Sequence, residues 1–224
     1  MNHDTRRIAG LAGLAVAPTY AFFVVLLTAL EWGYLHDLGW SVTGEYDLPY
    51  PSVLARGDLG VLMMLNFAVV AVLIATFARG LRREFRHRVS GMVATVALGL
   101  CAVAALLDIA PTGIEGEAAS WHDKMHAIGF FLIVAASMVA MVSSALALRG
   151  NDDWRGWRRL GWTPVLLAAV VFASPAIPGE LGLLVFLVIM LGWFSVMGAH
   201  LAALARTPRT SPSPLPDTAA PGLL

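Results

Sequence analysis

The sequence predicts an all-α fold: a polytopic membrane bundle of six transmembrane helices with both termini cytoplasmic. Three observations carry that expectation. Of the 224 residues, 58% are hydrophobic and only 13% charged, whereas a soluble domain is about half apolar and roughly a quarter charged; mean hydropathy is +0.73. Six segments reach the roughly 17–25 mainly apolar residues that a spanning helix needs. All basic residues except two fall on one side of the resulting hairpins, as the positive-inside rule requires.

The segments are 8–30, 59–78, 89–109, 126–148, 161–177 and 181–205. In the first, Arg6 and Arg7 precede an apolar run and "AVA" at 15–17 resembles a cleavage site, but Pro18 follows and the run continues through "YAFFVVLLTAL" to Leu30. That length suits a retained helix and not a signal peptide. The second leads into the basic loop "RGLRREFRHR" (79–88), and the third ends at Asp108 and Ile109. The fourth is entered through "SWHDKMH" (120–126). Only "PGE" separates the fifth from the sixth, with Pro178 and Gly179 as breakers; their joint length exceeds one span, so two spans are expected in preference to a re-entrant hairpin. From Arg206 onward "RTPRTSPSPLPDTAAPGLL" has no periodicity. Residues 1–206 are therefore expected as one membrane domain without internal repeats, and 207–224 as a disordered, Pro/Ser-rich cytoplasmic tail.

Orientation follows from charge. Arg6, Arg7, the 79–88 loop, "RGNDDWRGWRR" (149–159), Arg206 and Arg209 share one face, and only Arg56 and Lys124 lie on the other. The basic face is expected to be cytoplasmic, in an inner or plasma membrane. The outer face is acidic. Its longest loop, Glu31 to Gly57, carries Trp32, Tyr34, Trp40, Tyr46 and Tyr50, which favour the bilayer interface; Trp121 is the expected interfacial anchor beside the fourth span, with Trp162 on the opposite side. A formal net charge of zero gives no case for nucleic-acid binding. A single cysteine, Cys101, excludes an intramolecular disulfide, a CxxC redox pair and a cysteine zinc knuckle.

Small residues should let the helices approach closely. The third span offers Gly91, Thr95 and Gly99 on one ridge and Ala97, Cys101, Ala104 and Asp108 on another; the sixth offers Gly192, Ser195 and Ala199. The second ridge points Asp108 inward, where an ionised carboxylate costs several kcal/mol unless paired or near water. In the fourth span His122, His126, Phe130, Ile133, Ser137 and Ser144 share roughly one face. Ser137, Ser144 and Asn66 read as polar glue between helices.

The outer ends thus gather Asp58, Asp108, His122, His126 and Glu180 as a candidate polar site. His122 and His126 at i and i+4, with Asp108 from across the hairpin, could supply three zinc ligands and leave a fourth position for water. Asp58 or Glu180 would then serve as general base or orient a histidine. The plainer reading is a hydrogen-bonded cluster closing the bundle, since HxxxH here lacks the glutamate of HExxH. Asp123 and Lys124 are expected to face headgroups and water. Ser195 and His200 lie on diverging faces without a GxSG motif, which argues against a serine protease. His126 and His200 sit at opposite depths, which argues against a shared haem.

These features in order resemble the bacterial and archaeal six-span proteins grouped as domain of unknown function 998. The resemblance runs to about residue 206. It is carried by the long first outer loop, by "DLGVLMMLNFAVVAVLIATFARGLRR" entering the basic loop, by the aspartate ending the third span, by "SWHDKMH", and by the short last outer turn. It implies recurring roles for Asp108, Trp121, His122 and His126 and no activity. In "PGELGLL", Leu181 stands where the resemblance implies a basic residue, which weakens a Glu180 ion pair. A more distant resemblance to membrane hydrolases of the ceramidase kind, which combine histidines and aspartate around zinc, is one of fold alone.

The expected function is that of an integral membrane protein with an outward-facing His/carboxylate site, handling or sensing a lipid or small molecule or supporting a membrane partner. The alternative is a zinc-dependent intramembrane hydrolase acting on an outer-leaflet lipid. A third reading is a small transporter working as a dimer, for which only Asn66, Ser137 and Pro164 or Pro175 speak; a homo-oligomer is the one protein partner the sequence suggests.

Overall fold

In lipid the backbone must satisfy its own hydrogen bonds, so apolar segments of this length become helices. The computed structural model describes residues 3–39, 51–112, 120–155, 162–167, 169 and 179–206. Its elements are α1 (His3–Leu30), α2 (Trp32–Asp37), a 3₁₀ turn Pro51–Arg56, α3 (Gly60–Leu81) continued by a 3₁₀ turn Arg82–Glu84, α4 (Arg88–Leu107), α5 (Trp121–Ala147), a 3₁₀ turn Asp152–Trp154, and α6 (Gly179–Leu204). Among the described residues α1, α3, α4, α5 and α6 are long and apolar enough to cross a membrane, and none forms a strand. The chain is an all-helical, multi-pass membrane protein. Of the expected fifth span, residues 162–167 are helical; its remainder falls largely outside the described residues, as does the expected tail.

Two boundaries shift for a local reason. α5 begins at Trp121 and not His126, because Ser120 and Asp123 form a capping box: the Ser120 N–H donates to Asp123 Oδ2 at 2.6 Å and the Asp123 N–H to Ser120 Oγ at 3.3 Å. Two otherwise orphaned donors are satisfied there. Asp123 is thus a capping residue. α1 begins at His3 because Arg6, although charged, is buried at the end of the bundle.

α1 packs on α3 and α6, α3 on α4, and α4 on α5. α1 and α6 approach each other closely. A Cβ on Gly10 would overlap the Ala202 backbone, and one on Gly198 would overlap Leu14 N and the Gly13 carbonyl carbon. Ser195 Oγ there donates to the Leu14 carbonyl at 3.1 Å. The small residues singled out from sequence behave differently. Ala97, Cys101 and Ala104 are buried in the α4 interface, while Gly99 and Gly192 face open space. The main core runs through Ile74, Phe77, Leu98, Met141, Phe194 and their neighbours, and Val89, Met92, Val96 and Val103 of α4 are exposed, as a lipid-facing flank should be.

The described parts of the connection between α1 and α3 do more than lie on the surface. α2 buries Leu35, the turn Pro51–Arg56 buries Leu54, and both pack with Leu27, Met63 and Phe67 into a second apolar cluster at the end of the bundle away from Arg6. Glu31 is only 5% exposed; its carboxylate accepts the backbone N–H groups of Asp58 (3.2 Å) and Leu59 at the start of α3. A carboxylate at a helix N-terminus is favoured by the helix dipole. Tyr46, Trp40 and Tyr50 lie outside the described residues.

Candidate functional site

Behind this second cluster lies a cavity of about 520 Å³. α1, α3, α4, α5 and α6 all contribute to its wall, largely through Phe67, Val70, Ile74, Phe130, Ile133 and Leu191. Its polar groups are few and sit toward one end: Tyr20, Ser52, Asp108, Thr112, Asp123 and His126. Pockets of this size with apolar walls and a few convergent polar groups are where ligands bind.

Asp108 caps α4, its N–H bonded to the Ala104 carbonyl at 3.0 Å. It lies just beyond the spanning segment Arg88–Leu107. Its side chain turns toward α5, where Gly129 admits it: a Cβ at Gly129 would overlap Asp108 Oδ1 and crowd the Ala104 carbonyl. Any Cβ here would have to push the Asp108 carboxylate aside. The residue is 7% exposed, and among the described residues Oδ1 has no hydrogen-bond partner. Burial pushes its carboxyl up to about 7, because desolvation penalises the charged form.

His126 sits one turn before Gly129 on α5. Its Nδ1 is 2.9 Å from the Ala110 carbonyl and 4.0 Å from Asp108 Oδ1. The short contact makes Nδ1 a donor to the carbonyl, so the other ring nitrogen, Nε2, remains available. At 4.0 Å the carboxylate is an electrostatic neighbour and not a hydrogen-bond partner. Phe67 closes the far side, edge-on to the imidazole at 6.5 Å between centroids.

The five residues expected to share the site are placed differently from one another. Asp108 and His126 meet. His122 is exposed, its ring lying 3.8 Å from that of Trp121, itself 66% exposed. Asp58 is exposed, its backbone N–H held by Glu31. Glu180 lies in the first turn of α6, and its side chain is outside the described set. Among the described residues no three of His, Cys, Asp or Glu gather as a group that could hold a metal ion. The arrangement present is therefore one buried carboxylate beside one imidazole at the polar end of an apolar chamber. On its own that pair can accept a hydrogen bond, exchange a proton or attract a cation.

Sequence reasoning missed Gly129 and Tyr20. Gly129 carried a usable signal, three residues after His126 and hence on the same helical face. Tyr20 carried none, since only the α1–α3 packing brings it to the cavity. Deeper in the bundle Asn66 is fully buried, its amide 3.7 Å from Met63 Sδ; Ser137 bonds back to the Val134 carbonyl at 3.0 Å, and Ser144 is also fully buried. Neither Ser137 nor Ser144 lines the cavity.

The family model described as "Protein of unknown function (DUF998)" matches residues 15–202, which includes Tyr20, Asp108, His126 and Gly129. No curated protein and no solved structure matches the chain.

Proposed function

The chain belongs to the DUF998 family, and from that premise we propose that it is a six-span protein of the plasma or inner membrane that binds an amphiphile in its outer cavity. The apolar tail occupies the chamber walled by α3, α5 and α6, and the polar end meets Asp108 and His126. The observation that carries this reading is the 520 Å³ chamber with a buried, uncompensated carboxylate at its polar end. Ionisable groups buried in a membrane bundle are costly and point to function. The role is binding or sensing. The hydrolase alternative needs a third ligand beside Asp108 and His126, and none of the described residues supplies it.

A sixth crossing is supported by direction. Arg6, Glu84, Asp153 and the Leu204 carbonyl meet at one end of the bundle, so α5 and α6 both finish there. Between them the chain has to cross once more. That end carries the arginine clusters, which makes it cytoplasmic. Thiol labelling from outside the cell of cysteines placed at 79–88 would contradict this orientation.

Native mass spectrometry of the purified protein tests the binding reading. The wild type should retain a chain-bearing molecule in fixed stoichiometry. Ala127→Trp, at an exposed position on the cavity wall, should lose it while remaining folded. Identical adducts on both proteins would sink the proposal.

A further inference from the structure

We propose that the amphiphile carries a cationic, amine-type polar end, recognised by Asp108. This rests on the cavity reading above and sharpens it to a chemical class. Among the described residues no lysine or arginine pairs with the buried carboxylate, whose nearest ionisable partner is His126 at 4.0 Å. No lysine or arginine stands among the residues lining the chamber. The only basic residues on the outer side of the chain are Arg56 and Lys124. Lys124 is exposed on the outer turn of α5, and Arg56 is exposed at the rim, its guanidinium 3.4 Å from the Thr112 carbonyl.

The ionisable groups of the chamber favour a donor over an anion, while the hydroxyls of Tyr20, Ser52 and Thr112 can serve either. Asp108 and Asp123 offer carboxylates. His126 gives its Nδ1 hydrogen to the Ala110 carbonyl. Asp123 is held at the N-terminus of α5 by Ser120, so it faces the mouth as a fixed acceptor. An anionic head would meet the Asp108 carboxylate with no lysine or arginine among the lining residues, the rim charge of Arg56 lying toward Asp123. A hydroxyl could donate one hydrogen bond but leave the charge of Asp108 unopposed. A protonated amine opposes that charge and donates up to three hydrogen bonds, and charge-assisted bonds are about twice as strong as neutral ones. Gly129 fixes the carboxylate in place from behind, since its missing Cβ is the space that Asp108 Oδ1 fills.

The test uses the full-length protein in nanodiscs of zwitterionic lipid, with empty nanodiscs setting the partition background. Radiolabelled decylamine, decanol and decanoate, matched in chain and differing in head, are measured by equilibrium dialysis. Wild type should bind the amine saturably, the alcohol at least about tenfold more weakly, and the carboxylate not above background. In Asp108→Asn the amine should fall to the level of the alcohol, while alcohol binding stays. Equal binding of all three heads, or an amine preference unchanged by Asp108→Asn, overturns the amine assignment and leaves the chamber standing as a site for apolar chains. Absence of saturable binding by any of the three, in wild type, overturns the cavity reading as well. The wild-type ranking stands by itself if Asp108→Asn does not fold.

Discussion

The two ends of the bundle treat buried charge in opposite ways. At the arginine-rich end, Arg6 of α1 makes a two-pronged ion pair with Glu84, at 2.9 and 2.7 Å, and a further contact of 3.2 Å with Asp153. Glu84 also accepts from Trp154 Nε1 at 3.4 Å, its backbone carbonyl accepts from Asn151 Nδ2 at 2.9 Å, and His200 of α6 meets the Asp153 carbonyl at 2.8 Å. One network thus ties α1, the end of α3, the turn after α5, and α6. At the opposite end Asp108 has a histidine at 4.0 Å and, among the described residues, no lysine or arginine paired with it. The first arrangement closes the bundle; the second leaves a carboxylate whose partner has to come from elsewhere. Burial of charge alone is therefore a poor mark of a binding site in this protein. Burial without compensation is the informative feature.

That contrast is broken most severely at the closed end. Arg6→Ala leaves Glu84, 4% exposed, without its counter-charge, and removing one member of a buried pair costs about 3–5 kcal/mol. SDS- or urea-driven unfolding in mixed micelles should show this loss, and adding Glu84→Gln should restore part of it. An Arg6→Ala protein as stable as the wild type would mean that the network is solvated and closes nothing.

At the open end the expected effect is smaller and has the opposite sign. Burial raises the Asp108 carboxyl from its ordinary range to about 7, so the folded protein takes up this proton before the unfolded one does. The ionised form then costs stability above pH 7. The cost shrinks as pH falls through 7 and vanishes below the unfolded value near 4. Ligand-free wild type should gain about 1–3 kcal/mol between pH 8 and pH 5, within the cost of burying a charged group unsatisfied. In Asp108→Asn that component should disappear. A wild-type curve that is flat, or that falls, over this range would place a compensating charge at Asp108.

The division between the ends was only partly legible in the sequence. Five of the six expected spans are written in runs of apolar residues that the described residues show as long helices, because lipid leaves the backbone few alternatives. Asp108 stood out by interrupting a stripe of small residues, and His126 by opening a polar one. The arginine-end network was hidden, since Arg6, Glu84 and Asp153 look like ordinary loop charges until α1, α3 and α6 are packed. The close α1–α6 contact was hidden too: Gly99 and Gly192 match the small-residue pattern as well as Gly10 and Gly198 do, and only partner geometry separates them. Ser120 and Asp123 were readable as a capping box, which would have placed Trp121 and His122 inside the first turn of α5.

The smallest expected effect lies on His122, and it bears directly on the HxxxH spacing. His122 and His126 share a helical face by arithmetic, yet the first turn of α5 stands clear of the bundle. His122 rests there on Trp121 in an exposed position, while His126 turns in beneath Ala110. His122→Ala should therefore change stability by no more than about 0.5 kcal/mol, as for surface substitutions in general, and should leave decylamine binding intact. His126→Ala should weaken that binding, because it removes the group packed between Asp108 and Phe67. If both substitutions weaken it equally, the polar end of the site extends through the mouth to Trp121, and the outer end is a pair of histidines working together after all.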